Sequence, residues 1–480
     1  MADTIVTWLN DTLTWVLIVF LLSAGLFFTI VTRGVQFRLF GTMWKTIFGS
    51  RGNAGQGVSS FQAFAISLAS RVGTGNIVGV AIALTLGGPG AIFWMWVMAL
   101  LGMATAFVEA TLAQMYKVRH GEDHTFRGGP AYYIERGLGL RWVGIVFAVS
   151  LVFTFGFAFN MVQANTISGV FNGTWGIPPL WTAILLAILT AAIVFGGIKS
   201  VARVTEFLAP LMALVYVALA IIVLGMRIGE VPGAIGQIFA GAFGLDQALA
   251  GTAGGIIAAM LNGVKRGMFS NEAGMGSAPN AAATANASHP AQQGLIQSAG
   301  VFVDTLVVCT ATAVMILLSN PAVYTPGVTQ RDVAATLTQN ALADTLGAWV
   351  MPVMAFLIFV FAYSSVLGNY AYAEVNQDFI GGGHVGNLAV RALAVLATFW
   401  GAIQELAFVW SLADVAMSVM AVINITALFF LGKRAYLALQ DFERQKGVPP
   451  MERVFVAEPG SRLDREIPGD MWTFEVGDRS

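Results

Sequence analysis

The sequence predicts an all-α polytopic membrane protein of about 11 transmembrane helices, built as one extra N-terminal helix followed by a 5+5 inverted repeat. Three observations carry this. Hydrophobic residues make up 57% of the 480 and charged residues only 11%, where soluble domains carry roughly 25% charged. The chain contains apolar runs long enough to cross hydrocarbon, which takes about 20 residues each, and its mean hydropathy is +0.74. Two of these runs, the second and the seventh, are interrupted at their centres by glycine and polar residues.

The runs cover residues 12–32, 60–86, 90–116, 142–170, 179–198, 204–226, 249–287, 295–318, 346–371, 387–403 and 406–432. The first is uncharged and no basic stretch precedes it, so it reads as a retained helix rather than a cleaved signal. The expected division is an N-terminal extra helix at 1–32, a first five-helix repeat at 33–226, an inverted second at 227–432 and a polar tail at 433–480. The tail contains Pro449-Pro450 and both charge signs, and is expected to be soluble and partly disordered. The stretches 230–247 and 330–346 read as surface helices or gates. Of the 25 lysines and arginines, Arg71, Lys265, Arg266 and Arg391 fall within runs, and only Arg227 and Arg331 fall in loops on the N-terminal side. All others lie on the tail side, which the positive-inside rule makes cytoplasmic. A multi-pass cell-membrane protein with its N-terminus outside and its C-terminus inside follows.

Several function classes drop out. A net charge of −1 gives no basic surface for nucleic acid. The single cysteine, Cys309, cannot form an internal disulfide and reads as a small core residue. The sequence has no GxxxxGK[ST], HExxH or GxSxG and no close pair of intramembrane aspartates. Neither an ATP-driven pump nor an intramembrane enzyme is supported, and no cofactor or transition-metal site is expected. His120 and His124 are four residues apart, but a metal needs more ligands than two, so they read as a solvated loop. A channel lines its pore with repeated rings, usually from identical subunits; two half-repeats within one chain fit a carrier better.

The interrupted runs read SFQAFAISLASRVGTGNIVGVAIALTL and GTAGGIIAAMLNGVKRGMFSNEAGMGSAPNAAATANA. Backbone polar groups cannot stay unpaired in hydrocarbon, so unwound centres must face protein or a water-filled cavity. Half-helices meeting there would aim amides and dipole ends at a ligand. In the first break, the unwound turn Gly73-Thr74-Gly75 is a candidate to hold a carboxylate on freed amides, and Asn76 could accept a cation or orient the substrate. In the second, Ser270, Asn271, Glu272, Ala273, Gly274 and Gly276 offer oxygens for an ammonium group or a hard cation. Glu272 is costly at this depth; it either faces a substrate amine, pairs with Lys265 or Arg266, or carries a proton. Phe157, Asn160 and Gln163 fall near one face of the fourth run and could complete the pocket. Arg71 reads as a gate or ion-pair residue, with Glu109, Asp304 or Asp414 as partners.

Gly73–Arg119, with GGPAYYIERGLG (128–139) and KRGMFSNEAGMGSAPNAAATA (265–285), resembles the signature regions of the alanine or glycine:cation symporter family. The resemblance extends over nearly the whole chain. It implies a leucine-transporter-like fold with one extra N-terminal helix, and Na+-coupled, sometimes H+-coupled, import of a small neutral amino acid such as alanine or glycine. It also implies that Thr74 and Gly75 bind the substrate carboxylate. Ser364 and Ser365 would hold the cation with backbone oxygens of Ala69 and Val72. Oligomeric state is not legible.

Overall fold

The computed structural model describes residues 2–50, 58–120, 125–196, 214–244, 253–457, 467 and 471–472. Its main helices are α1 (Ala2–Val31), α2 (Ser60–Arg71) with α3 (Gly75–Gly87), α4 (Gly90–Met115), α5 (Arg141–Trp175), α6 (Pro179–Val194), and α7 (Leu214–Met226) with α8 (Val231–Phe243). The second half contributes α9 (Ala253–Asn271) with α10 (Ala278–Thr284), α11 (Pro290–Leu317), α12 (Ala334–Leu346), α13 (Val350–Ile380), α14 (Gly383–Ala402) and α15 (Leu406–Arg444).

Over their described residues the expected runs are recovered as helices, and both interruptions are real breaks. α2 and α3 are bent by 46° at theirs. α7 and α8 turn by 104°, so α8 is a separate helix outside the sixth span, packed on α4. α12 likewise forms from the stretch after Gln330 and packs against α13. The last spanning helix continues past the apolar run to Arg444. A two-stranded antiparallel hairpin, Val118–His120 with Thr125–Arg127, follows α4 on the tail side. His120 stands 3.7 Å from Asp378 there; His124 lies outside the described residues. No group of three metal-ligating side chains occurs among the described residues.

Local sequence explains where helices begin. Ser59 caps α2 in a reciprocal box: its hydroxyl accepts from the Gln62 N–H at 3.1 Å, and the Gln62 side chain accepts from the Ser59 N–H at 3.0 Å. Proline opens α6 and α11, where its missing N–H costs nothing. Trp142, Trp175, Trp181, Trp349 and Trp400 stand exposed near helix ends, as expected of rings placed at a membrane interface.

Packing is helix on helix. α4 lies against α9 and α11, α1 against α15, and α14 against α5 and α6. In lipid such contacts depend on close approach rather than on expelling water. Gly401 of α14 abuts the backbone of Met161 on α5, leaving no room for a Cβ. Gly225 of α7 has open space around it. Gly401→Val should therefore lower stability by about 1–3 kcal/mol through overpacking. Gly225→Ala should be neutral or slightly stabilising. Thermal unfolding of the purified variants in detergent reads both; equal melting temperatures for all three chains would contradict the packing described.

Candidate functional site

The two breaks meet. α2 ends at Arg71, Val72 is extended, and α3 opens with a π-helical turn over Gly75–Gly79. Asn76 braces the turn by accepting the Gly73 N–H at 2.9 Å. The N–H groups of Thr74 and Gly75 stand at the start of α3, where helix geometry provides no acceptor one turn back. Across from them α9 ends at Asn271. Positive backbone φ at Glu272 (58°), Gly274 (84°) and Gly276 (84°) then carries the chain to α10. Glycine takes that conformation freely; for Glu272 it is an uncommon geometry held by its surroundings.

Close approach fixes the first break. A Cβ on Gly75 would stand 3.0 Å from Ser270 Cα and 3.1 Å from the Phe269 ring, and one on Gly73 would collide with the Ser365 hydroxyl. The glycines are needed for the helices to touch, beyond any approach to a ligand. The second break is held from the side. The Gly274 N–H donates to Glu109 Oε1 at 3.2 Å, and Asn424 Nδ2 donates to Glu109 Oε2 and to the Gly274 carbonyl, both at 3.0 Å. The Asn271 side chain accepts the Ala273 N–H at 3.0 Å and donates to Thr305 at 3.2 Å.

Two buried carboxylates flank the junction. Glu272 accepts the hydroxyls of Ser70 at 2.8 Å and Ser277 at 2.6 Å. It does not pair with Lys265 or Arg266. Asp304, in a π-helical stretch of α11, accepts from Asn76 Nδ2 at 2.7 Å, from Ser270 at 2.7 Å and from Thr305 at 2.8 Å. It thus joins one residue of each break. All these donors are neutral. Cys309, a small buried core residue as expected, lies with them, 3.3 Å from Asn76 Nδ2 and 3.2 Å from Ser270 Oγ.

The partners expected for Arg71 need correcting. It pairs with none of Glu109, Asp304 or Asp414. As the last residue of α2 it faces α11, where its guanidinium donates to the Gln297 carbonyl at 3.2 Å and to Gln297 Oε1 at 2.9 Å. Asp414 instead pairs with Arg266, and with Lys265 at 3.7 Å. The Arg266 guanidinium lies 4.7 Å from the Trp410 ring centre. Phe159, Phe269 and Trp410 stack in series at 4.5 and 4.6 Å. Ion pair and rings lie together on the side of the junction away from the tail.

On α5, the Gln163 side chain accepts the Thr74 hydroxyl. Asn160 Oδ1 accepts from Asn369 at 3.0 Å, and Asn369 Oδ1 in turn accepts from Ser70 at 3.1 Å. Phe157 is not brought in: its ring lies 5.7 Å from Trp400 of α14. Phe157 lies inside a π-helical stretch, Thr154–Ala158, where side-chain spacing departs from the regular helix, and it is Phe159 that meets Phe269 beside the junction. On α13, the hydroxyls of Ser364 and Ser365 donate to the Phe361 carbonyl at 2.9 and 3.1 Å. They reach the Ala69 carbonyl at 3.5 and 3.1 Å, with buried Val72 adjacent. Hydroxyl and carbonyl oxygens at the end of α2 are a donor set that fits a hard cation.

Sequence reasoning took Asp304 only as a partner for Arg71 and missed Ser70, Asn369 and Phe159. The signal for Asp304 was present, since a carboxylate inside a span is expensive wherever it points.

The chain is similar to known proteins over most of its length. Residues 1–455 match the model of the sodium:alanine symporter family. The amino-acid carrier protein AlsT of Bacillus subtilis is 48% identical over 433 residues, 90% of each chain. The sodium/alanine symporter AgcS of Methanococcus maripaludis is 40% identical, covering 86% of this chain and 91% of that one. The probable sodium/glutamine symporter GlnT of B. subtilis is 45% identical, covering 91% of this chain and 90% of that one. The crystal structure of MhsT in complex with L-phenylalanine superposes with a TM-score of 0.58 at 17% identity, over 81% of this chain and 97% of that one. That likeness shows a leucine-transporter-like fold.

Gly75→Ala tests the junction. The added methyl should part the two breaks and weaken ligand binding by about 1–3 kcal/mol, roughly five- to 150-fold, while the variant still elutes as a folded species. Isothermal titration with a bound ligand measures this; wild-type affinity in a folded Gly75→Ala chain would contradict it.

Proposed function

The chain belongs to the sodium:alanine symporter family, a family of multi-pass membrane transporters rather than enzymes, and from that premise we propose that it imports a small neutral amino acid, alanine or glycine, with Na+. The observation that carries the reading is the apposition of opposite helix ends at one point. α3 presents its N-terminal amides at Thr74 and Gly75, where the helix dipole favours a negative charge. α9 presents its carbonyl end at Ser270 and Asn271, with Asp304 beside it, where an ammonium group is favoured. A zwitterion matches both ends at once. An acidic substrate would meet Asp304 and Glu272. The Phe159–Phe269–Trp410 stack bounds the space above, which supports a small side chain. The relatives' names point to alanine in one case and glutamine in another, so the choice of amino acid rests on this steric argument.

Na+ is assigned to the Ala69, Val72, Ser364 and Ser365 oxygens. Because Ser365 also packs on Gly73 of the first break, a cation there would order the turn that holds the carboxylate. Each ligand then raises the affinity of the other by the same factor. The basic residues on the tail side make that face cytoplasmic, so that the coupled flux runs inward. A second reading, H+ coupling, is favoured by one observation: neither Glu272 nor Asp304 forms an ion pair with a basic side chain among the described residues, and a proton would neutralise either.

Uptake of labelled alanine and glycine into proteoliposomes, with Na+, Li+ and pH gradients imposed separately, tests the proposal. An inward Na+ gradient should drive accumulation at least tenfold above the gradient-free level. The Ser364→Ala/Ser365→Ala double variant should need about tenfold more Na+ for half-maximal uptake. Accumulation driven by a pH gradient alone, with no response to Na+, would replace Na+ by H+ in the mechanism.

A further inference from the structure

The tail side of the molecule is fastened by a segment that the binding site does not use. Beyond α15 the chain folds back onto residues 285–292, the connection from α10 to α11 and the first turn of α11. The Ser288 hydroxyl donates to the carbonyls of Arg453 at 2.8 Å and Met451 at 3.2 Å. The Phe455 N–H donates to the Ser288 carbonyl at 3.0 Å, and Gln292 Nε2 to the Pro450 carbonyl at 2.9 Å. His289 is fully buried under this contact, between the rings of Phe442 at 5.0 Å and Phe455 at 5.2 Å. Its Nδ1 accepts the Ala291 N–H at 3.1 Å, so Nε2 carries the proton and donates to Asp441 at 3.2 Å.

Trp472 completes the fold-back. It is 1% exposed, and its indole N–H donates to the Gln114 carbonyl at 3.1 Å. Its ring lies 5.6 Å from Phe455 and 5.1 Å from the Lys117 ammonium. The Ala457 N–H donates to its carbonyl at 2.6 Å. A tryptophan buried this fully beyond residue 455, where the family match ends, is a docked anchor rather than a solvated tail.

The surface it docks on joins the tail-side ends of both broken spans. Ala285 follows α10 directly and accepts the Lys117 ammonium at 2.9 Å. It also forms a parallel bridge with Val58, just before α2, and the Asn286 N–H donates to the Val58 carbonyl at 2.9 Å. α2 and α10 are the half-helices between the candidate site and this face, so opening the site here requires their ends to separate. We propose that residues 445–457 and Trp472 form a built-in latch, which holds the ends of α2 and α10 together through residues 285–292 and must release before the site opens to the tail side.

The inference rests on the reading of the two breaks as an alternating-access site, and Cys309 provides a readout separate from transport. It is the only cysteine in the chain and lies in the junction. Membrane vesicles of either orientation are treated with a membrane-impermeant methanethiosulfonate. The full chain is compared with Trp472→Ala, with Trp472→Phe and with a chain ending at Arg444. The latch predicts that Trp472→Ala and the shortened chain label at least threefold faster from the tail side, with no change from the other side. Trp472→Phe, which keeps an aromatic anchor, should stay within about twofold of the full chain. Unchanged labelling from the tail side would overturn the proposal, as would an equal rise from both sides, which marks general loosening. The readout does not depend on which amino acid is carried, so failure of the alanine assignment and failure of the latch appear in different experiments.

Discussion

Two helices that stop halfway through a bilayer leave backbone donors and acceptors that lipid cannot satisfy, and the rest of this structure follows from how they are satisfied. The first break is closed by its own Asn76 and by contact with the second break at Ser270. The second is closed by Glu109 and Asn424, which hold Gly274 from the scaffold side. What the protein leaves free are the donors at the start of α3 and the acceptors at the end of α9. Those groups, facing each other, are the site proposed for the substrate.

The charges around the junction sort by depth and by side. Away from the tail, Arg266 and Lys265 meet Asp414, and the aromatic stack lies beneath them. At the junction itself the charges are carboxylates, Asp304 and Glu272, held by hydroxyls and amides. Towards the tail, Arg71 is satisfied by a carbonyl and an amide oxygen of Gln297. A buried ion pair is costly to keep and more costly to break, so separating Arg266 from Asp414 is expensive.

Much of this was legible in the sequence because hydrocarbon imposes simple rules. Apolar run length gave the spans, and glycine with polar residues at mid-run gave both breaks. What stayed hidden depended on geometry that composition does not encode. The π-helical stretch at Thr154–Ala158 breaks the regular spacing, and Phe159 rather than Phe157 meets Phe269. Arg71 found uncharged oxygens, which no search for acidic partners would find. The polar tail looked solvated, but Trp472 docks more than 350 residues away in sequence, at Gln114. Asp304 was visible as an intramembrane carboxylate; its role in joining Asn76 to Ser270 became apparent only when both breaks were seen together.

On the proposed reading, freed amides at Thr74 and Gly75 hold a carboxylate. Equilibrium binding of alanine and of alaninamide, which keeps the ammonium group and the methyl but lacks the carboxylate, tests it most directly when done at one saturating Na+ concentration. Alaninamide should bind at least 100-fold more weakly, about 2.7 kcal/mol. Binding of the two within threefold of each other would contradict it.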